Sequence, residues 1–281
     1  MTDYDSIIVG GGAAGLAAAM VLVRGRRSVL LVDSGQQNNL RTTHSGGVFL
    51  HDGEAPSALY TRALEQLREY PTFTLLRDTV DSVDRIAENA ASGDAAHPTF
   101  RIGSGQTART IVLAQGVQFI PSEIPGVDAL WGTKVVNCPF CDGYESRNMR
   151  VLGIGDDAWL GHMGGLLPNW VDDLSWSNSS EVAGVEDVDD GIAVHFTDGR
   201  FEVFERMFAQ QTWTQRTQLT DPLGCERTPE GGLVLDPFSQ TTVPGVFVAG
   251  DQTGGGAMQV NLAVGSGHLA GIGALSTLAM G

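Results

Sequence analysis

The sequence has little positive charge and almost no lysine. Against 33 acidic residues it carries 17 basic ones, among which Lys134 is the single lysine, and its formal net charge is −16. A chain this acidic is repelled by phosphate backbones and by anionic membrane surfaces. The composition therefore argues against nucleic acid and membranes as partners.

Cysteines and long apolar runs are also scarce. Three cysteines in 281 residues do not make a disulfide framework. The N-terminal stretch MTDYDSIIVG carries acids where a secretory signal needs positive charge. No stretch reaches the roughly 18 uninterrupted apolar residues of a membrane span. We therefore expect a globular protein with a cytoplasmic location.

The N-terminal segment has the parts of a dinucleotide-binding βαβ unit. The apolar run Ser6–Val9 leads into a G-x-G-x-x-G motif and a helix-forming stretch, and a second apolar run ends in Asp33. Such glycines allow a tight turn, close approach of a pyrophosphate and helix–strand packing, while the acid accepts ribose hydroxyls. The alternative is a structural βαβ turn without a ligand. The residues expected to bind are Gly10, Gly12, Ala13, Ala14, Gly15, Asp33 and Ser34.

The C-terminal segment resembles the closing FAD motif of flavoprotein disulfide reductases. A turn at Pro244–Gly245 and a strand at Val246–Ala249 precede a Gly/Ala-rich helix. The resemblance implies that Asp251 bonds the ribityl chain and that the backbone at the start of the last helix faces the flavin. A hinge motif, normally A-T-G, has Gln115 in place of Thr. The residues implied at the cofactor are Gly116, Gly250, Asp251, Gln259 and Val260, so we expect FAD at the first site.

A second glycine motif follows the cysteines. Gly153, Gly155 and Ala158 satisfy G-x-G-x-x-A after a strand, in the place where thioredoxin reductases hold NADPH. The expected fold is therefore α/β with two Rossmann-like nucleotide-binding domains. The FAD-binding domain comprises residues 1–118 and 239–281, and the inserted NADPH-type domain comprises residues 119–238. Residues 88–98 are expected to form a surface loop.

The inserted domain lacks the charge that NADPH requires. No Lys or Arg occurs between Arg150 and Arg200, although a 2′-phosphate is recognised by basic side chains. Pro168 ends the helix early because proline has no N–H and its ring clashes with the preceding turn. We therefore expect a domain that is degenerate for NADPH, with NADH less firmly excluded.

The stretch NCPFCDGYE contains two cysteines that are candidates for redox chemistry or metal binding. Cys138 suits a helix N-cap with Pro139 in the first turn, and two intervening residues bring the sulfurs of Cys138 and Cys141 within disulfide reach. A zinc site needs two further ligands nearby, and two unreactive buried thiols are the other alternative. The sequence C-x-x-C-D-G resembles thioredoxin reductases, which implies a redox-active pair. In that resemblance Cys141 lies nearer the flavin, Cys138 exchanges with substrate and Asp142 carries protons.

Three stretches resemble the dithiol oxidases that close the disulfides of gliotoxin- and holomycin-type natural products. They are the His-Gly-rich segment 40–59, the C-P-aromatic-C motif and the aberrant second domain. Asp142 stands where that branch often has His. The resemblance implies a small-molecule dithiol as substrate, O2 as electron acceptor, no metal and a homodimer.

Two other functions remain open at this stage. One is a thioredoxin reductase variant supplied with electrons by NADPH, NADH or ferredoxin. The other is a flavin-binding redox sensor or structural homologue without turnover. The sequence also does not decide which of His44, His51 and His268 assists catalysis, if any does.

Overall fold

The structure is a computed structural model that describes residues 2–86, 98–120, 122–216, 218–254 and 257–280. The surface loop expected at residues 88–98 lies, apart from Pro98, outside the described residues. The helices are α1 Ala13–Arg24, α2 Pro56–Arg68, α3 Val127–Leu130, α4 Pro139–Asp142, α5 Asp157–Leu166 and α6 Val260–Met280. The strands are β1 Tyr4–Val9, β2 Val29–Val32, β3 Phe73–Leu76, β4 Val83–Ile86, β5 Thr99–Ile102, β6 Thr107–Leu113, β7 Val117–Phe119, β8 Val135–Val136, β9 Val151–Gly155, β10 Leu174–Asn178, β11 Val182–Val188, β12 Gly191–Phe196, β13 Phe201–Phe204, β14 Arg206–Ala209, β15 Trp213–Gln215 and β16 Val246–Val248.

The described chain divides into two compact units. The first unit comprises Met1–Gln37, Ala58–Gln118 and Gln215–Gly281, and the second comprises Asn38–Ser57 and Phe119–Thr214. In the first unit β3, β2, β1, β6 and β16 form a parallel run, to which β5 and β4 add antiparallel strands. The buried, β-branched run of β1 suits the centre of a parallel sheet.

Helices α1 and α6 of the first unit pack closely through small residues. A Cβ added at Gly267 would overlap the Ala14 carbonyl, and one at Gly271 would lie 2.8 Å from Val21 Cβ. By length and composition alone, α6 is apolar enough to cross a membrane. Its small residues Ala270 and Ala274 are nevertheless fully buried in the core that also contains α1. In this structure α6 is therefore a packing element of the first unit.

The second unit is also built on a parallel sheet. Its strands run in the order β10, β9, β14 and β8, and α5 follows β9. A separate antiparallel meander consists of β11, β12 and β13. The fold class predicted from the sequence, with two Rossmann-type α/β sheets, is confirmed.

The boundaries of the units differ from the predicted domains in two places. The chain returns to the first unit at residue 215, earlier than the predicted residue 239, because Leu219, Cys225 and Leu233 pack into the core of that unit. Residues 38–57 cluster with the second unit, although we expected them in the FAD-binding domain. Within that unit Arg41 forms an ion pair of 2.9 Å with Asp128.

Candidate functional site

The first glycine motif has the geometry of a phosphate-binding turn. Gly10 has a φ of +106°, and a Cβ added there would overlap the Ala114 carbonyl. A Cβ added at Gly12, the N-cap of α1, would meet no atom nearer than Gln37 Cγ at 3.9 Å. No side chain caps this helix end, so its first N–H groups, with Ala13 and Ala14, are available to an anion. At Gly15 an added Cβ would overlap the Gly10 carbonyl.

Asp33 lies beside this turn. Its side chain is buried, and Oδ1 accepts hydrogen bonds from the backbone N–H groups of Gly11 at 3.1 Å and Gly35 at 3.2 Å. Both donors fix the orientation of the carboxylate, and its role in ribose recognition stays a prediction. The neighbouring Ser34 is exposed, and the structure gives it no contact with this group.

Two residues that the sequence did not indicate also reach Asp33. Gln37 donates to Asp33 Oδ1 at 3.1 Å and to the Gly11 carbonyl at 2.9 Å. Arg77, which follows β3, forms an ion pair with Asp33 Oδ2. These side chains would share the carboxylate with a ribose. Only the pairing of β2 with β3 places Arg77 there, and no sequence motif contains it.

The C-terminal motif contacts the first glycine motif within the first unit. Gly250, with a φ of +72°, lies so close to α1 that an added Cβ would be 3.0 Å from Ala14 Cβ. The buried Gln252 accepts a hydrogen bond of 3.0 Å from the backbone N–H of Gln115, which explains how the hinge motif is tied to this turn. Gly116 beside it has a φ of +67°, a conformation that favours glycine. Gln259 directly precedes α6, and Val260 is its first residue.

The Asp251 side chain lies partly buried in the C-terminal motif. Burial raises the pKa of its carboxyl above the ordinary value, and among the described residues no hydrogen bond reaches the carboxylate oxygens. Together with the uncapped end of α1 and the buried Asp33, this acid fits a dinucleotide such as FAD.

The second glycine motif is closed by its own side chains. Asp156 caps α5, with its Oδ1 accepting from the Trp159 N–H at 2.8 Å. That bond and one from Gln210 hold the pKa of Asp156 below its ordinary value, so the helix end already carries an anion. A Cβ added at Gly155 would lie 2.5 Å from the Trp159 ring, so an indole covers the glycine that should approach a phosphate.

The end of the adjacent strand is also occupied by acids. After β10, Glu181 Oε2 accepts from Ser177 Oγ at 2.8 Å and completes a capping box with Asn178. Asn178 donates to Asp157 Oδ1 at 3.0 Å. These contacts supply negative charge at the end of β10, where the resemblance to thioredoxin reductases led us to look for basic residues. As predicted, α5 stops at Leu166, before Pro168.

The two cysteines of the second unit form a disulfide. Cys138 is the N-cap of α4, Pro139 opens the helix, and the Cα atoms of Cys138 and Cys141 are 5.3 Å apart. The carbonyl of Cys138 accepts from the N–H groups of Cys141 at 3.1 Å and Asp142 at 3.0 Å. The third cysteine, Cys225, is a buried free thiol whose pKa is raised by burial.

Glycines allow the disulfide helix to be packed closely on two sides. A Cβ at Gly46 would overlap the Cys141 carbonyl, so the segment 38–57 lies directly against α4. A Cβ at Gly143 would be 2.8 Å from the Trp170 indole. Phe140, which meets Trp170 edge to face with ring centroids 5.4 Å apart, is 57% exposed. It provides an apolar surface next to the disulfide.

A cluster of titratable side chains surrounds Asp142, the residue after Cys141. Burial raises the pKa of Asp142 to about 6, although electrostatic interactions with His44 and Arg206 act in the opposite direction. His44 Nε2 lies 3.6 Å from Asp142 Oδ1 and 4.0 Å from Glu145 Oε2. A carboxyl with a pKa near neutrality is suited to proton transfer.

Three further histidines have different surroundings. His51 Nδ1 is 3.2 Å from Glu54 Oε1, so it is engaged within its own loop. His162 on α5 and His268 on α6 are exposed. Within the second unit, the structure brings His44, and not His51 or His162, to the residues around the disulfide.

Comparison with known proteins assigns the family. The pyridine nucleotide-disulphide oxidoreductase family matches residues 4–158 and 173–267. The chain is 32% identical to "Thioredoxin reductase tcpT" of Claviceps purpurea, over 95% of this chain and 92% of that protein. An oxidoreductase from Agrobacterium tumefaciens superposes with a TM-score of 0.85 and 30% identity, covering 100% of this chain and 99% of the other.

A more distant structure supports the fold alone. Thioredoxin reductase from Streptococcus pyogenes has a TM-score of 0.82 at 20% identity, covering 99% of both chains. These similarities agree with the dinucleotide-binding turn and the disulfide described above. The chain therefore belongs to the pyridine nucleotide-disulphide oxidoreductase family, and it is a thioredoxin reductase-like oxidoreductase with FAD as its cofactor.

Proposed function

We propose that the protein is an FAD-dependent dithiol oxidase. It forms an intramolecular disulfide in a small-molecule dithiol through Cys138 and Cys141, with O2 as the electron acceptor. The observation that carries this proposal is the contrast between the two glycine motifs. The first has an uncapped helix end at Gly12, whereas the second is capped by Asp156 and covered by Trp159. An enzyme with a disulfide and a flavin motif but a closed nicotinamide motif suits electron flow from thiols to the flavin.

The oxidation of the substrate needs no further oxidant in the thiol–disulfide steps, because the Cys138–Cys141 disulfide accepts its two electrons. A substrate thiolate attacks Cys138 Sγ, the Cys138–Cys141 bond breaks, and Cys141 leaves as a thiolate. The second substrate thiolate then displaces Cys138, so the substrate becomes a disulfide and the two cysteines are reduced. FAD, which the uncapped end of α1, Asp33 and Asp251 would hold, would supply the acceptor for these two electrons and their transfer, with two protons, to O2 as hydrogen peroxide.

Asp142 is the proton acceptor in this scheme. Each attacking substrate thiol must lose a proton, because the thiolate is the nucleophile. With a pKa raised to about 6 by burial, Asp142 is mostly ionised at neutral pH and yet basic enough to take that proton. Its carbonyl accepts from Ser146 Oγ at 2.7 Å, which fixes the backbone at this residue.

A reductase working in the opposite direction is the second candidate. The matched fungal protein is called a thioredoxin reductase, and such an activity requires NADPH, NADH or ferredoxin to reduce the flavin. The acidic cap at Asp156 and the absence of basic residues between Arg150 and Arg200 disfavour NADPH. The two candidate functions therefore differ in the electron donor. In the oxidase the dithiol substrate donates the electrons, whereas in the reductase NADPH, NADH or ferredoxin donates them.

Peroxide formation in air tests the oxidase. The purified flavoprotein is mixed with a panel of reduced small-molecule dithiols, and peroxide and disulfide are both quantified. We expect one peroxide for each disulfide with the wild type, and production no faster than the protein-free control with Cys138→Ser. Cys225→Ser, which removes the buried thiol outside the pair, is the matched control and should keep the activity. A wild type that makes neither product from any dithiol would contradict the proposal.

A further inference from the structure

An imidazole from the segment 38–57 reaches the carboxylate beside the disulfide. His44 Nε2 lies 3.6 Å from Asp142 Oδ1, just beyond hydrogen-bond distance. We propose that His44 is a positioning residue that shares the proton of Asp142 and thereby sets the pH range in which the disulfide exchanges with thiols. This inference rests on the proposed function, since it concerns the proton that the substrate thiol releases.

The nitrogen that faces Asp142 is buried and lacks a hydrogen bond. Among the described residues, His44 Nε2 has no hydrogen-bond partner and no appreciable contact with solvent. A buried polar nitrogen left in this way is costly. An imidazole nitrogen can accept or donate a proton, so a small approach of either side chain would form a bond through which Asp142 and His44 exchange it.

The backbone of His44 is held in place from both sides. Thr42 Oγ1 donates to the His44 carbonyl at 2.9 Å and also contacts the Asn39 carbonyl at 3.0 Å. On the other side, the close contact of Gly46 with the Cys141 carbonyl seats the segment on α4. The imidazole is therefore presented to Asp142 by packed neighbours, which is what a positioning residue requires.

The charged groups that face Asp142 are His44, Glu145 and Arg206. Burial is the largest influence on the pKa of Asp142 and raises it, His44 and then Arg206 lower it, and Glu145 raises it. Burial also lowers the pKa of Arg206. Because His44 favours the ionised carboxylate, its removal leaves Asp142 with a higher pKa. The carboxylate is then protonated, and unable to accept a proton, up to a higher pH.

The pH dependence of disulfide reduction tests this inference. Under anaerobic conditions the wild type, His44→Gln and His51→Gln are mixed with dithiothreitol between pH 5 and pH 9. Free cysteines are trapped by alkylation and counted by mass spectrometry, so the readout does not require turnover. His51→Gln is the matched control, because His51 lies in the same segment but contacts Glu54.

We expect the acid limb of the wild-type rate to have its midpoint near pH 6, the pKa of Asp142. In His44→Gln the midpoint should move upward by about half to one unit, which lowers the rate about 2- to 5-fold at pH 6 and leaves it unchanged at pH 9. In an Asp142→Asn background the same substitution should cause no further pH-dependent change, because His44 acts through Asp142.

Three results would overturn the inference. They are equal midpoints in the wild type and His44→Gln, an equal shift in His51→Gln, and loss of folding in both His44→Gln and His44→Asn, which would assign His44 a structural role. A wild type that no dithiol reduces at any pH would instead contradict the proposed function itself.

Discussion

At the scale of single residues, burial of the Asp142 carboxylate lowers the stability of the folded protein. Its pKa is raised from 3.8 to about 6 by burial, so the folded protein holds a proton more tightly than the unfolded chain does. The resulting loss of stability is absent at pH values below the pKa of Asp142 in the unfolded chain, and it is complete at pH values above the pKa of Asp142 in the folded protein. The carboxylate therefore destabilises the protein increasingly as pH rises through the interval from 3.8 to about 6.

Asp142→Asn should consequently stabilise the protein while impairing thiol–disulfide exchange. We expect a gain of roughly 2–3 kcal/mol in the free energy of unfolding at pH 8 and about half of that at pH 5. Denaturant unfolding at the two pH values measures it. Asp172→Asn, which removes a carboxylate from an exposed position of the same unit, is the control for the change in net charge. A lower stability of Asp142→Asn at pH 8 would contradict this account of the site.

At the scale of elements, the α1–α6 contact places the C-terminal motif beside the first glycine turn. It depends on the absence of side chains where the two helices meet, since an added Cβ at Gly267 would overlap the Ala14 carbonyl. Ala14 belongs to the first turn of α1, where the dinucleotide phosphates are expected. Packing of α6 and retention of the cofactor should therefore be coupled.

Two glycines of α6 test this coupling with opposite signs. A Cβ added at Gly265 would meet no atom within 4 Å outside the backbone of its own helix, so Gly265→Ala should stabilise the protein by up to about 1 kcal/mol through helix propensity. Gly267→Ala should destabilise it by about 1–3 kcal/mol because of overpacking, and should weaken flavin retention. Thermal unfolding and the flavin absorbance after gel filtration measure both effects. Equal effects of the two substitutions would show that the close contact is unimportant.

At the scale of the whole molecule, the protein contains two glycine-rich βα motifs, and they differ in whether the N-terminus of the helix is free to bind a phosphate. In the second motif Asp156 supplies a negative charge at the helix end and Trp159 covers Gly155. Nicotinamide nucleotides should therefore be poor electron donors.

Anaerobic titration of the flavin absorbance measures the donor directly. We expect NADPH and NADH to leave the oxidised flavin band unchanged over minutes, and a dithiol that the enzyme oxidises to bleach it through Cys138 and Cys141. The dithiol arm of the titration is the control for a functional flavin. Bleaching by NADPH at stoichiometric concentrations would instead support the reductase.

Features that arise from neighbouring residues followed from the sequence. The turn of Gly10 and Gly15, the end of α5 before Pro168 and the N-cap position of Cys138 are set by backbone sterics and by hydrogen bonds within a few residues. Such constraints act locally, so a motif is sufficient to predict them. The family and the cofactor followed because several of these motifs occur in order along one chain.

Features that join distant segments required the tertiary structure. The ion pair of Arg77 with Asp33 depends on strand pairing, and the approach of His44 to Asp142 depends on how residues 38–57 pack against α4. The sequence contains each of these residues but no local signal of their proximity, because long-range contacts result from burying the whole chain at once. By itself the sequence therefore determined the two nucleotide-type folds and the cysteine pair. Only the packed structure decided which histidine lies beside the disulfide.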